Sequence, residues 1–360
     1  MKAYVLHGIS DMKYEEVETP KVQKGEVLVK VRAAGICGSD IPRIYRTGAY
    51  HHPLIPGHEF SGQVEALGEG VSEMWMGRRV GIFPLIPCME CSSCRKKKYE
   101  MCRHYNYLGS RTDGGFAEYV RVPEWNLIEL PERVTYEQAA MMEPMAVAVH
   151  AIRQSGLLVP NAKTGESIND KRIVVWGLGT IGLFITMFLT AMGYRNVYVA
   201  GNKALQRKMA CNLGIKEENY YDIRYDNSTE RIMDYLGEDG VDVFFECVGK
   251  NAVLTQGVNN VAPGGILLLV GNPEGDMHLE KTVYWKLLRR QITVQGTWNS
   301  GFTHEETDDW HFVLDCLERG MIHPEELITH RFTGEALMNG FEMMRDKSED
   351  YVKVMGKFNA

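Results

Sequence analysis

Ile173-Val174-Val175-Trp176-Gly177-Leu178-Gly179-Thr180-Ile181-Gly182, running on into Leu183 to Met192, decides the fold of this 360-residue chain. Ile173 to Tyr194 carries no charged residue over 22 positions, long enough to cross a bilayer. The stretch nevertheless divides into a β-branched run, a glycine turn and a helical run. A strand, turn and helix buried in an α/β core account for that division, and a membrane span does not. Gly177-x-Gly179-x-x-Gly182 then stands where a backbone approaches a pyrophosphate at a helix N-terminus. Gly177, Gly179, Thr180, Ile181 and Gly182 are therefore candidate dinucleotide-binding residues.

Outward from this turn the strand–helix alternation is regular. Val197–Ala200, Val241–Glu246 and Gly265–Gly271 read as further strands with helical stretches between them, which predicts a doubly wound parallel sheet over residues 155–295. The polar segment 155–171, with Pro160 and Gly165, reads as a loop between domains. Residues 1–154 differ. Short alternating runs such as Glu26-Val27-Leu28-Val29-Lys30-Val31 and Gly114 to Val122, punctuated by glycine and proline, predict a mostly β domain. From Tyr136 the pattern turns helical through Ala151. The tail, 296–360, ends in a helix and a short strand and is expected to pack back on the first domain.

An acidic clamp on the adenosine ribose belongs at the end of the second strand, near position 201. The chain has Ala200-Gly201-Asn202-Lys203 there, with Arg207 beyond. No carboxylate stands against a 2′-phosphate, and Lys203 and Arg207 can receive one, so the sequence favours NADP. An NAD enzyme without the clamp is the alternative.

Composition sets limits. With 44% hydrophobic and 24% charged residues and net charge −7, the chain reads as a soluble globular protein with no nucleic-acid or anionic-membrane partner. The basic run Arg95-Lys96-Lys97-Lys98 reads as a solvated loop tip. Met1-Lys2-Ala3-Tyr4-Val5 enters strand-like sequence directly, without a signal peptide, and the eight cysteines suit a reducing cytoplasm.

Five of those cysteines fall in two metal-type segments. Cys88, Cys91, Cys94 and Cys102 have C-x2-C-x2-C-x7-C spacing, which closes a thiolate cage around a structural zinc. Cys37, in Gly35-Ile36-Cys37-Gly38-Ser39-Asp40, and His58-Glu59, between Gly57 and Gly62, offer a more open site. Glu143-Pro144, at the end of a helix, offers another carboxylate. One cage and one open site predict two zinc ions per chain, one structural and one catalytic. Cys211, Cys247 and Cys316 remain as ordinary buried thiols.

Cys37-Gly38-Ser39-Asp40, Gly57-His58-Glu59 with Gly62, Gly68 and Val71, the four-cysteine loop and the glycine fingerprint together resemble the zinc-containing medium-chain alcohol and polyol dehydrogenases, over nearly the whole chain. Pro42-Arg43-Ile44, Pro84-Leu85-Ile86-Pro87, Tyr107-Leu108-Gly109-Ser110-Arg111 and Glu143-Pro144 resemble the sorbitol and galactitol-1-phosphate 5-dehydrogenases within that family. The resemblance implies a GroES-like catalytic domain beside a Rossmann domain, and a homodimer or homotetramer. It implies zinc held by Cys37, His58 and carboxylate, Glu59 or Glu143 exchanging with water. The zinc lowers the pKa of a substrate hydroxyl from roughly 16 toward 7, and hydride passes to NADP or NAD. Ser39 takes the hydroxyl proton, but the relay histidine expected three residues on is Pro42. The implied substrate is a polyol or polyol phosphate, galactitol 1-phosphate oxidised to tagatose 6-phosphate. Arg43, Arg46, His51 and His52, with Arg111 and Lys286, are candidate phosphate ligands. An unphosphorylated sugar alcohol is the alternative substrate. A non-catalytic zinc and nucleotide-binding protein is the alternative of another class.

Overall fold

The structure, a computed structural model, describes residues 1–158, 170–225, 229–237, 239–273 and 275–358. Most of the segment read as an interdomain loop, 159–169, lies outside the described residues. The chain forms two compact units, Met1–Ala146 with Ser300–Ala360, and Val147–Asn299.

The first unit is built on the strand Glu26–Ile36. Its alternation buries Val27, Val29 and Val31 on one face while Leu28, Lys30 and Arg32 stay partly exposed. Each buried valine contributes roughly 1.5–3 kcal/mol relative to exposure. The strand pairs antiparallel with Glu59–Leu67, with Tyr119–Pro123 and with the C-terminal strand Lys353–Lys357. The pairing with Glu59–Leu67 is close because Gly62 lacks a side chain: a Cβ there would stand 2.1 Å from the Lys30 carbonyl oxygen. The tail thus belongs to this sheet, and it carries Lys353 beside Gly35. The helical run from Tyr136 is two helices, Tyr136–Ala140 and Met142–Gln154. Glu143 consequently begins the second helix rather than ending the first, since Pro144 is accommodated in a first turn, where its missing N–H is not needed.

In the second unit the strands are β1 (Arg172–Trp176), β2 (Asn196–Gly201), β3 (Tyr220–Asp222), β4 (Val241–Glu246), β5 (Val261–Leu269) and β6 (Thr293–Gly296). They form a parallel sheet in the order β3-β2-β1-β4-β5-β6. The order reverses at β1, and a ligand crevice forms at the carboxyl ends of the strands at such a switch point. β1 buries Ile173, Val174, Val175 and Trp176, as its uninterrupted apolar sequence requires. The helix after it, α1 (Thr180–Ala191), is buried from Gly182 to Leu189. Among the described residues no helix is long and apolar enough to cross a membrane. Of the three remaining cysteines only Cys316 is buried. Cys211 and Cys247 are half-buried, because Cys211 lies on the amphipathic helix Ala204–Asn212 and Cys247 lines a cavity.

Candidate catalytic zinc site and dinucleotide cavity

Cys37 follows the last residue of the central strand, and Asp40 fixes the turn it sits in. The Asp40 carboxylate accepts the Cys37 backbone N–H at 3.0 Å, and the Asp40 N–H donates back to the Cys37 carbonyl at 3.0 Å. His58 and Glu59 lie across the ladder, where Glu59 pairs with Gly35. Gly57 has φ +100 and would place a Cβ 2.8 Å from the Phe116 ring, so only glycine turns the chain there. The result brings one sulfur, one imidazole nitrogen and one carboxylate oxygen of Cys37, His58 and Glu59 within 4.8 Å of one another.

The surroundings are built for a cation. His58 and Glu59 are buried, and His58 Nδ1 has no hydrogen-bond partner, the Asp40 carboxylate oxygen lying 3.6 Å away. Burial works against a charge on His58, yet Asp40 and Cys37 beside it more than offset this and hold its imidazole up to about 10. Burial lifts Glu143 to about 7, while His58 draws it down. The Tyr107 hydroxyl donates to Glu143 Oε1 at 2.9 Å, and burial with the Glu143 charge raises the phenol well above its usual range. Lys353, 1% exposed, donates to Glu59 and to the Ile36 carbonyl. Gly35 leaves room for this pair, since a Cβ there would meet Glu59 Oε2 at 2.5 Å. Ser39 Oγ stands 3.3 Å from Cys37 Sγ and is exposed. A set of sulfur, nitrogen and oxygen donors, with a carboxylate facing the histidine ring, fits zinc.

The second cluster also fits. Sulfurs at about 2.3 Å from one ion in a tetrahedron stand about 3.8 Å apart. Cys88–Cys94, Cys91–Cys94 and Cys91–Cys102 stand at 3.9, 3.5 and 4.0 Å. Backbone N–H groups of Arg103 and Cys94 pull the Cys91 thiol down to about 6, toward the thiolate a metal takes. The basic run beside it is exposed, Lys97 pairing with Glu305.

Of the phosphate candidates in the first unit, His51 and Arg111 adjoin each other and line one cavity. Arg43 donates to Asp40 at 2.7 Å, so it holds the residue that faces His58. His51 lies between the Pro53 and Arg111 carbonyls, and His52 between the Leu6 carbonyl and the Ala49 N–H. Arg111 stacks between Tyr50 and Tyr105, 4.4 Å from each ring. Arg46 is exposed, and Lys286, in the second unit, donates to Asn259.

In the second unit the three fingerprint glycines have separate tasks. Gly177 adopts φ +103 in the turn; a Cβ on Gly179 would meet nothing within 4 Å, leaving that backbone open; a Cβ on Gly182 would lie 2.0 Å from the Gly177 carbonyl oxygen, so the helix can close on the strand only with glycine there. The amides at the start of α1, Thr180 and Ile181 included, form an N-terminus suited to a pyrophosphate. A cavity of about 430 Å³ opens beside this turn, lined among others by Gly177, Gly179, Gly201, Asn202, Cys247 and Lys250. Arg207 faces Glu217 at 3.5 Å. The Glu246 carboxylate accepts the N–H groups of Val248 and Gly249, which shapes the loop carrying Cys247 into the cavity.

Sequence reasoning missed Asp40, Tyr107, Lys353, Gly35 and Glu246 as working parts. Asp40 had a signal, three residues from Cys37. Lys353 had none, because only the sheet pairing of the tail brings it to Glu59.

Residues 23–132 match the alcohol dehydrogenase GroES-like domain and 180–319 the zinc-binding dehydrogenase domain. Galactitol 1-phosphate 5-dehydrogenase of Escherichia coli K12 is 31% identical over 342 residues, covering 93% of this chain and 94% of that one. The chain belongs to the zinc-dependent medium-chain alcohol and polyol dehydrogenases. Sorbitol dehydrogenase of Bacillus subtilis is 28% identical, over 99% of this chain and 96% of its own. The crystal structure of the E. coli galactitol-1-phosphate dehydrogenase superposes with a TM-score of 0.88 at 30% identity, covering 99% and 100% of the two chains. A zinc-binding dehydrogenase of Sinorhizobium meliloti 1021, bound to NADP, gives 0.86 at 26% identity, covering 99% and 98%. This dehydrogenase is therefore an oxidoreductase using zinc and NADP or NAD, with a GroES-like domain and a Rossmann sheet. The non-catalytic reading does not stand.

Proposed function

We propose that the enzyme oxidises the secondary alcohol of a polyol phosphate to a ketone, galactitol 1-phosphate to tagatose 6-phosphate, with Cys37, His58 and carboxylate from Glu59 or Glu143 holding the catalytic zinc. The convergence of one donor atom each of Cys37, His58 and Glu59 within 4.8 Å carries the catalytic assignment. The 31% identity over nearly the whole chain supports this particular substrate.

Zinc, when bound, supplies Lewis acidity that makes a substrate hydroxyl easier to deprotonate. The nicotinamide supplies the hydride acceptor. The chain's own residues do the rest. Asp40, braced by Arg43, orients His58 and favours positive charge beside it. Lys353 restrains Glu59 and Tyr107 restrains Glu143, so separate donors hold the two carboxylates; Glu59 belongs to the cluster with Cys37 and His58, and either carboxylate would supply the metal's oxygen ligand. Ser39 Oγ, exposed beside Cys37, receives the hydroxyl proton and passes it to water, since Pro42 closes the side-chain relay. Gly177, Gly179, Thr180, Ile181 and Gly182 hold the pyrophosphate, and Gly201, Asn202, Lys203 and Arg207 border the ribose. Cys88, Cys91, Cys94 and Cys102 hold a structural zinc.

An unphosphorylated sugar alcohol is the second reading. Two observations favour it: Arg43 is committed to Asp40, and Arg111 is stacked between two tyrosines. Initial rates on galactitol 1-phosphate and free galactitol, each with NAD and NADP, decide between them. Turnover confined to the phosphate is the expected result. Turnover on the free polyol, or on neither, overturns the phosphate assignment.

A further inference from the structure

At the carboxyl end of β2 this chain departs from a standard dinucleotide pocket. A carboxylate at that point would hydrogen-bond the ribose hydroxyl of NAD and repel a 2′-phosphate. Gly201 leaves the place open, and another side chain fills it. A Cβ built on Gly201 would meet Gln206 Oε1 at 2.8 Å and the Tyr220 hydroxyl at 2.6 Å. Gln206 lies in the first turns of the helix Ala204–Asn212 and folds back over the strand end, where its Oε1 accepts the Asn202 N–H at 2.9 Å. Gly201, Asn202 and Gln206 all line the cavity. With Oε1 so placed, the Nε2 hydrogens are what Gln206 offers a ligand, and an amide N–H can donate to a hydroxyl oxygen or to a phosphate oxygen, the bond to the charged oxygen being the stronger by a factor of up to about ten.

The charges nearby cancel in pairs. Asp222 is the register partner of Gly201, but both its oxygens are held by Arg224, at 2.9 and 2.6 Å. Arg207 lies over the Tyr220 ring and faces Glu217 at 3.5 Å. Neither arginine is uncommitted for a 2′-phosphate, and among the described residues no unpaired carboxylate stands at Gly201 to repel one. Lys250 lines the cavity, and Lys203 is the residue before the helix Ala204–Asn212.

We propose that Gln206 is the residue that reads the 2′ position of the adenosine ribose, and that its neutral amide makes the enzyme bind NAD and NADP with affinities within about tenfold of each other. This rests on the dinucleotide reading of the cavity and is independent of which polyol is oxidised. Gln206→Glu restores a carboxylate at the open strand end and turns the site toward NAD. Gln206→Ala removes the donor from both cofactors alike.

The test is the dissociation constants of NADH and NADPH, measured by titration calorimetry on the zinc-loaded protein without substrate, with thermal melting to confirm that each variant is folded. Gln206→Glu is expected to weaken NADPH by at least about 30-fold while NADH stays within about threefold. Gln206→Ala is expected to weaken both by a similar factor of about 3–10. A wild-type preference above about 100-fold for either cofactor overturns the proposal, because a charged group would then be deciding. So does a Gln206→Glu variant that binds NADPH as the wild type does, or a Gln206→Ala variant that changes neither constant. Wild-type protein that binds neither nucleotide sinks the dinucleotide reading itself, a result distinct from these.

Discussion

Lys353→Met removes one charge from the interior of the zinc-binding unit and leaves the shape nearly intact. Lys353 and Glu59 are 1% and 2% exposed, and the ammonium donates to Glu59 Oε2 and to the Ile36 carbonyl. Methionine keeps the apolar stem and loses both donations. Stranding one partner of a buried ion pair costs about 3–5 kcal/mol, and the stranded carbonyl adds about 1, so the metal-free protein should lose about 4–6 kcal/mol. That is a large share of the roughly 5–15 kcal/mol by which a protein is stable. In a unit of this size the melting midpoint should fall by about 8–24 °C. Zinc changes the sum. A cation ligated beside Glu59 supplies the positive charge that Lys353 no longer gives, so the loss should be clearly smaller in zinc-loaded protein. Calorimetric melts of wild type and variant, with chelator and with zinc, give both differences. Glu59→Gln added to Lys353→Met should recover part of the metal-free loss, because a neutral amide needs no counter-charge. A metal-free loss below about 1 kcal/mol, or a double variant no more stable than the single one, would refute the buried-pair account.

Cys37→Ser should abolish turnover while sparing the fold and the structural zinc, whereas Cys91→Ser should remove the structural zinc and cost several kcal/mol of stability; zinc content and melting of the two variants separate these, and full turnover by metal-depleted Cys37→Ser would end the catalytic-zinc assignment. Burial raises Glu143 from 4.5 to about 7, so the folded, metal-free protein binds more protons than the unfolded chain between those values. Its contribution is fully present below about pH 4.5 and is lost as pH rises through about 7, by up to about 3 kcal/mol. Denaturant titrations across that window should show the decline in wild type and a flatter line in Glu143→Gln; an unchanged slope counts against the assignment. Gly182→Ala places a methyl 2.0 Å from the Gly177 carbonyl oxygen, and NADH binding should weaken by more than about 100-fold with zinc content unchanged. Binding within about tenfold of wild type would mean that the turn is not the pyrophosphate site.

The parts that were legible in the sequence are those whose chemistry is local. β1, the glycine turn and α1 are contiguous, and each glycine's task follows from its place in one tight turn. The cysteine cage is likewise contiguous, because thiolates two residues apart can meet on one ion without help from the rest of the chain. Cys37 and His58-Glu59 were visible as donor types, but what brings them together is the register of Glu26–Ile36 against Glu59–Leu67, which sets Gly35 opposite Glu59. Composition and spacing do not encode a register. The same limit explains Lys353, which reaches Glu59 only through the antiparallel pairing of the last strand with the central one. It also explains Arg43, which looked like a phosphate ligand by charge and proximity and is held by Asp40, a carboxylate the sequence had already placed three residues before it. A buried acid facing a histidine is costly unless something positive braces it, so Asp40 next to a ligand pair predicts a brace nearby. Arg43 is that brace, and the same argument sends Lys353 to Glu59. In this site the cations that look free in sequence are held by the acids that the metal's own ligands require.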